Sequence, residues 1–166
     1  MRIITRLTLA VTALVVTSTV AAQAQTNNAS ITATATVQTP INVTAAQQLS
    51  FGNVFPGVNK TVNATDLTNA GRFDVTGQAS TPVTLSFTLP ATLLSAGNSM
   101  PIVSYTGEYA GNNLQTGAQV FTPASGANPS LSAAGLLFVW VAAQVQPATN
   151  QAAGVYTGSI TMTVVY

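Results

Sequence analysis

Strict alternation of apolar and hydroxyl-bearing residues constrains this chain more than any other feature. Ile31, Ala33, Ala35 and Val37 alternate with Thr32, Thr34, Thr36 and Gln38. Val83, Leu85, Phe87 and Leu89 alternate with Thr84, Ser86 and Thr88, and Ile160, Met162 and Val164 with Thr161 and Thr163. Successive side chains of a strand point to opposite faces, so each run puts one apolar face inward and one hydroxyl face outward. Threonine suits the outer position because its branched Cβ fits the pleat while its hydroxyl stays wet. No helical stripe competes with this period.

One segment breaks the pattern. Leu136-Leu137-Phe138-Val139-Trp140-Val141-Ala142-Ala143 is apolar on both faces. At this length it fits a central strand covered on both sides, a short buried helix being the alternative. Trp140, the only tryptophan, reads as a core residue rather than a ligand platform. Pro40, Pro56-Gly57, Gly71, Gly77, Pro82, Pro90, Gly97-Asn98, Pro101, Gly111-Asn112-Asn113, Gly126, Pro129, Pro147 and Gly154 punctuate the strands. Residues 122–134, dominated by Pro, Ser, Ala and Gly, read as a mobile loop. The expectation is an all-β domain, a sandwich or barrel of about eight or nine antiparallel strands.

The first residues have the form of a cleaved secretory signal. Arg2 and Arg6 make a positive start, Leu7 to Val16 an apolar run, and Ala22-Gln23-Ala24 the small residues of a cleavage site. The expected cut follows Ala24, with Ala22 as the alternative. The apolar part is too short and too rich in Thr for a spanning helix. The layout is then a signal peptide at 1–24, an N-terminal extension or first strand at 25–40, and one β-domain at 41–166. The expected destination is the periplasm and then the cell surface or exterior. Exported β-domains often carry disulfides; with no Cys, this one depends on burial and strand pairing.

Charge is nearly absent. Only 4% of the 166 residues are charged, and there is no His. Beyond Arg6 the charges are Lys60, Asp66, Arg72, Asp74 and Glu108. Without a basic patch, nucleic-acid binding is not expected. A serine nucleophile would have only Lys60 as a base. Asp66, Asp74 and Glu108 have no spacing that pairs them as glycosidase carboxylates. Zinc lacks its His and Cys ligands, and calcium at Asp66 or Asp74 has weak support. The chain is therefore read as no enzyme, with no cofactor, no metal and no small-molecule substrate. Arg72 and Asp74, two apart, share one face of a strand. They form either a recognition patch or, in the simpler reading, a solvated edge guarded by charge.

The two ends of the domain carry the functional expectation. Ser30 to Gln38 is an alternating strand after a polar leader, and Pro40 separates it from Ile41-Asn42-Val43-Thr44. At the other end, Gly154 to Tyr166 reads as a strand that can lie at an open sheet edge, which invites another strand. A donor strand at one end and an acceptor edge at the other make a head-to-tail interface, and one that does not close builds a filament.

Leu49-Ser50-Phe51-Gly52-Asn53, after the alternating N-terminal run, resembles an element of the spore-coat-U-type pilins, archaic chaperone–usher fimbrial subunits. Phe73-Asp74-Val75-Thr76-Gly77 with Thr81 to Phe87 looks like their next pair of strands, and Gly154 to Val164 is similar to their closing strand. An uncharacterised family of secreted bacterial β-domains shares the pattern more closely still. The resemblance implies an immunoglobulin-like sandwich lacking one strand, held open by a periplasmic chaperone until the next subunit's extension fills the gap. It makes Ile31, Ala33, Ala35 and Val37 the donor residues and puts Tyr156, Ile160, Met162 and Val164 beside the groove. The chain departs from those pilins in lacking their disulfide and in its small donor residues.

The expected function is that of an exported structural subunit that polymerises with itself or related subunits through strand addition. The alternatives are a monomeric carbohydrate- or surface-binding module, with Tyr105, Tyr109 and Phe121 as a sugar platform, and a small outer-membrane barrel.

Overall fold

The computed structural model describes residues 26–166; the expected signal peptide and its cleavage site lie outside them. The chain divides into two units, Met1–Thr36 and Val37–Tyr166. In the first unit, residues 26–36 form no helix or strand and are exposed throughout.

The second unit is all-β, apart from one 3-10 turn at Pro123–Ser125. Its strands are β1 (Asn42–Gln47), β2 (Lys60–Thr61), β3 (Gly71–Thr76), β4 (Thr84–Thr88), β5 (Thr92–Ser95), β6 (Asn98–Ala110), β7 (Gln119–Phe121), β8 (Leu136–Val145) and β9 (Thr161–Val165). Seven of them build one antiparallel sheet in the order β1-β3-β8-β6-β5, with β2 on β8 and β7 on β6. β4 and β9 form a separate two-stranded antiparallel sheet. The order does not close into a barrel.

β8 lies at the centre because its sequence is apolar on both faces. It pairs with β3 and β2 on one side and with β6 on the other. Leu137 and Val139 share a cluster with Val75, Val83, Leu85, Leu131 and Met162, which brings the β4–β9 sheet onto this face. Trp140 and Ala142 face the other way, under Val62, Ala64 and Ala70. Trp140 is 1% exposed, as expected of a core residue. The segment over Trp140 is tied down by Asp66. Its carboxylate accepts hydrogen bonds from the backbone N–H groups of Thr68 (3.0 Å) and Asn69 (3.1 Å) and from Asn69 Nδ2 (2.8 Å). The Asn69 side chain, then Thr68 N–H, favours the ionised form and holds the carboxyl below its ordinary pKa.

The length of β6 is usable because the strand bends. Its register with β8 shifts between Val103 and Thr106, where Ser104 has φ 54°. Such a bulge redirects the strand; the first half pairs with β5 and the second with β7. Gly107 lies where the Phe121 ring crosses: a Cβ there would come 2.5 Å from Phe121 Cε1.

Three expectations need correction. Ser30 to Gln38 alternates like a strand but forms none. Ile31 is 96% and Val37 94% exposed, and the first strand is Asn42–Gln47. Alternation fits a residue run to a pleat, but a strand exists only where another edge takes its hydrogen bonds. The run from Gly154 to Tyr166 is a strand only over Thr161–Val165; Thr157 instead bridges Leu94. Residues 122–134 are pinned to β4 rather than loose. Leu85 pairs with Ala127, Pro82 with Ser130, and Pro123 and Leu131 are buried. A low-complexity composition concealed the anchors Pro123 and Leu131, the latter 2% exposed.

Candidate functional site

β9 is the last strand of its sheet, and β4 is its only strand partner among the described residues. Met162 is buried and Val164 half-buried on its core face, while Thr161, Thr163 and Val165 face out. Neither β9 nor residues 26–38 contains a charged residue, proline or glycine. The edge therefore lacks the side chains that usually protect an unpaired strand.

The opposite bank is β1, at the end of the larger sheet. Val43 pairs with Val75 and Ala45 with Phe73. Direct cross-strand partners share a face, so Ile41, Val43 and Ala45 form the core-facing row of β1. Val75 is buried in the main cluster and Ile41 packs against it. Val43 is nevertheless 36% exposed, and Ala45 is exposed as well. These two side chains lack full cover among the described residues.

One hydrogen-bonded contact and one shared cavity show how β1 and β9 run. At one end, Tyr166 Oη accepts a hydrogen bond from Gln78 N–H (2.8 Å) and donates to the Thr39 carbonyl, just before β1. At the other end, Ile160, just before β9, lines a cavity with residues 48–54, just after β1. The first and last strands therefore run antiparallel across an aisle, with no ladder between them. The cavity at the Ile160 end measures about 510 Å³, and Leu49, Phe51, Met100, Ile102 and Val145 contribute its apolar lining.

The four expected edge residues separate here. Met162 and Val164 lie on β9, Ile160 lines the cavity from just before the strand, and Tyr156 is on the cavity wall. The Tyr156 hydroxyl accepts from Gln151 Nε2 (2.6 Å) and donates to the Ala152 carbonyl (2.8 Å). The expected donors divide as well: Ile31, Ala33 and Ala35 belong to the first unit, and Val37 opens the second.

The aromatic residues considered for a sugar platform are engaged elsewhere. Tyr109 and Phe121 pack against the main core, ring centroids 5.8 Å apart. Tyr105 packs beside Met100 and Ile102 and donates to the Pro90 carbonyl (2.7 Å). Burial raises its pKa to about 12. Arg72 and Asp74 form the expected same-face pair at 2.8 Å, with Arg72 also donating to Asn113 Oδ1 (3.1 Å). No group of three or more metal-ligating side chains occurs among the described residues. Residues 48–54 were the part of the site that periodicity missed. They form no strand, and only the aromatic and leucine of Leu49-Ser50-Phe51 marked them as core-seeking.

No curated protein matches this chain. The profile of one family matches residues 41–166, and the chain belongs to that family, described as a domain of unknown function (DUF4402).

Proposed function

We propose that this protein is an exported structural subunit of an extracellular fibre or surface assembly. Residues Ile31 to Val37 of one copy add as a strand beside β9 of the next, in an immunoglobulin-like sandwich that lacks that strand. A periplasmic chaperone that covers the aisle before assembly belongs to the same proposal.

One observation carries it: an uncharged, alternating segment stands exposed in a chain whose last strand has, among the described residues, an open and uncharged edge across from the exposed Val43 and Ala45 of β1. The energies favour filling that gap. Burying Ile31 and Val37 from nearly full exposure contributes about 1.5–3 kcal/mol each. Each main-chain hydrogen bond along the edge adds about 0.5–1.5 kcal/mol. Ala33 and Ala35 contribute less, but they let the added backbone approach the floor closely.

The test compares protein carrying residues 26–166 with protein starting at Thr39. The longer form is expected to give sedimenting, SDS-resistant polymers visible by negative stain, and the shorter form a folded monomer. If both remain folded monomers across a range of concentrations, the assembly role is wrong.

A further inference from the structure

We infer that the loop end of the domain around Phe55, Val58 and Val155 is a docking surface for the body of a second copy of this chain. The inference rests on the strand addition proposed above and goes beyond it to a contact between folded domains.

The surface is apolar and exposed. Phe55 is 69%, Val58 57% and Val155 82% exposed. Val58 N–H donates to the Phe55 carbonyl (3.1 Å) and Gly57 N–H to the Ala148 carbonyl (3.0 Å), while Val155 lines the larger cavity together with Val54, the neighbour of Phe55. A second depression of about 240 Å³ is lined by their chain neighbours Val54, Pro56, Gly154 and Tyr156, with Pro147. It shares Val54, Met100, Gly154 and Tyr156 with the larger cavity, so the two adjoin. Large apolar side chains grouped at one end of a domain mark an interaction surface rather than scattered exposure.

The occupant follows from chain length. Ile41 packs on its own domain's core, and only Gln38, Thr39 and Pro40 separate it from the donor residue Val37. Four residue steps span at most about 14 Å. A donor copy therefore brings its own base, around Thr39 and Tyr166, to whichever end of the aisle Val37 reaches. The Tyr166 end of the acceptor is already filled by the acceptor's own Thr39, bonded to Tyr166. Val37 must then lie at the Ile160 end, and the donor's base comes down on the loops carrying Phe55 and Val155. Base meets tip, the interface is heterologous, and it does not close on itself.

The native sequence has no Cys, so introduced pairs report unambiguously. Variants are expressed from the whole 166-residue sequence. V37C mixed with I160C tests strand addition, and A79C mixed with V155C tests the base-to-tip contact, Ala79 being an exposed neighbour of Gln78. Both mixtures are expected to give disulfide-linked dimers. F55D/V155D is expected to fold as the parent does, by circular dichroism, and to assemble at least about tenfold more slowly, the ratio that about 1.4 kcal/mol represents.

If V37C and I160C cross-link while A79C and V155C do not, and F55D/V155D assembles at the parent rate, the docking surface is overturned and strand addition stands. Closed dimers joined by A79C to A79C would place the two bases together and also overturn it. No cross-link between V37C and I160C overturns strand addition and the docking surface with it.

Discussion

Tyr166 and Thr39, 127 residues apart in the chain, are joined by a hydrogen bond from the tyrosine hydroxyl to the threonine carbonyl. The same oxygen accepts from Gln78 N–H at 2.8 Å. One side chain thus ties the last strand to the start of the first and to the turn after β3. It also holds the residues just before β1 against the end of the last strand.

Replacing Tyr166 by Phe keeps the ring and removes both bonds. Because the site is partly open to water, the expected loss is about 1 kcal/mol. Urea unfolding followed by circular dichroism measures it. Amide exchange at Gln78 is expected to accelerate in the variant, and unchanged exchange there would mean that the bond does not persist in solution.

The turn between β5 and β6 offers a stabilising change. Ser95 pairs with Asn98, and the two residues between them, Ala96 and Gly97, have φ of 44° and 83°. Both central positions of such a two-residue hairpin turn need positive φ, which suits Asn and Gly and strains Ala. Ala96→Asn is expected to raise stability by roughly 0.5–1 kcal/mol. A lower urea midpoint would contradict this.

Gly107 is required by the ring beside it. A methyl group added at this position would press on Phe121, whose ring also packs 5.6 Å from Phe87. Gly107→Ala is expected to cost about 1–3 kcal/mol by overpacking. The double variant with Phe121→Leu is expected to cost less than the sum of the two single changes, because both act on one contact. Additive losses in urea unfolding would argue against that contact.

Alkaline stability should depend on Tyr105. Burial raises its pKa to about 12, against an ordinary 10.0. The folded state therefore holds the phenolic proton more tightly than the unfolded chain does. Its contribution is whole below about pH 10 and is lost as the pH rises through the folded value. Urea midpoints at about pH 9 and about pH 11.5, on either side of the ordinary tyrosine value, are expected to differ less in Tyr105→Phe than in the parent. An identical pH dependence would show that Tyr105 is not the group responsible.

The sequence by itself determined the strands whose alternation or apolar run is strong. Thr84–Thr88 and Thr161–Val165 show inward Leu85, Phe87, Met162 and Val164 directly, and Leu136–Val145 shows its central place by being apolar on both faces. Pro40 likewise marked the break before β1. Local pattern carries this information because the pleat has a period of two and burial removes the need for polar positions.

Only the tertiary structure decided what each pattern pairs with. Ile31 to Val37 and Thr161 to Val165 have the same alternation, yet among the described residues only the second run has a partner strand. Residues 122–134 read as a mobile loop, yet Leu131 is in the core. The aisle between β1 and β9 is made by two sheets that end at different places, a relation between segments far apart in the chain. A hydrogen-bonding edge is available or not according to where the rest of the chain lies. That is a property of the assembled sheets and is written in no local stretch of residues.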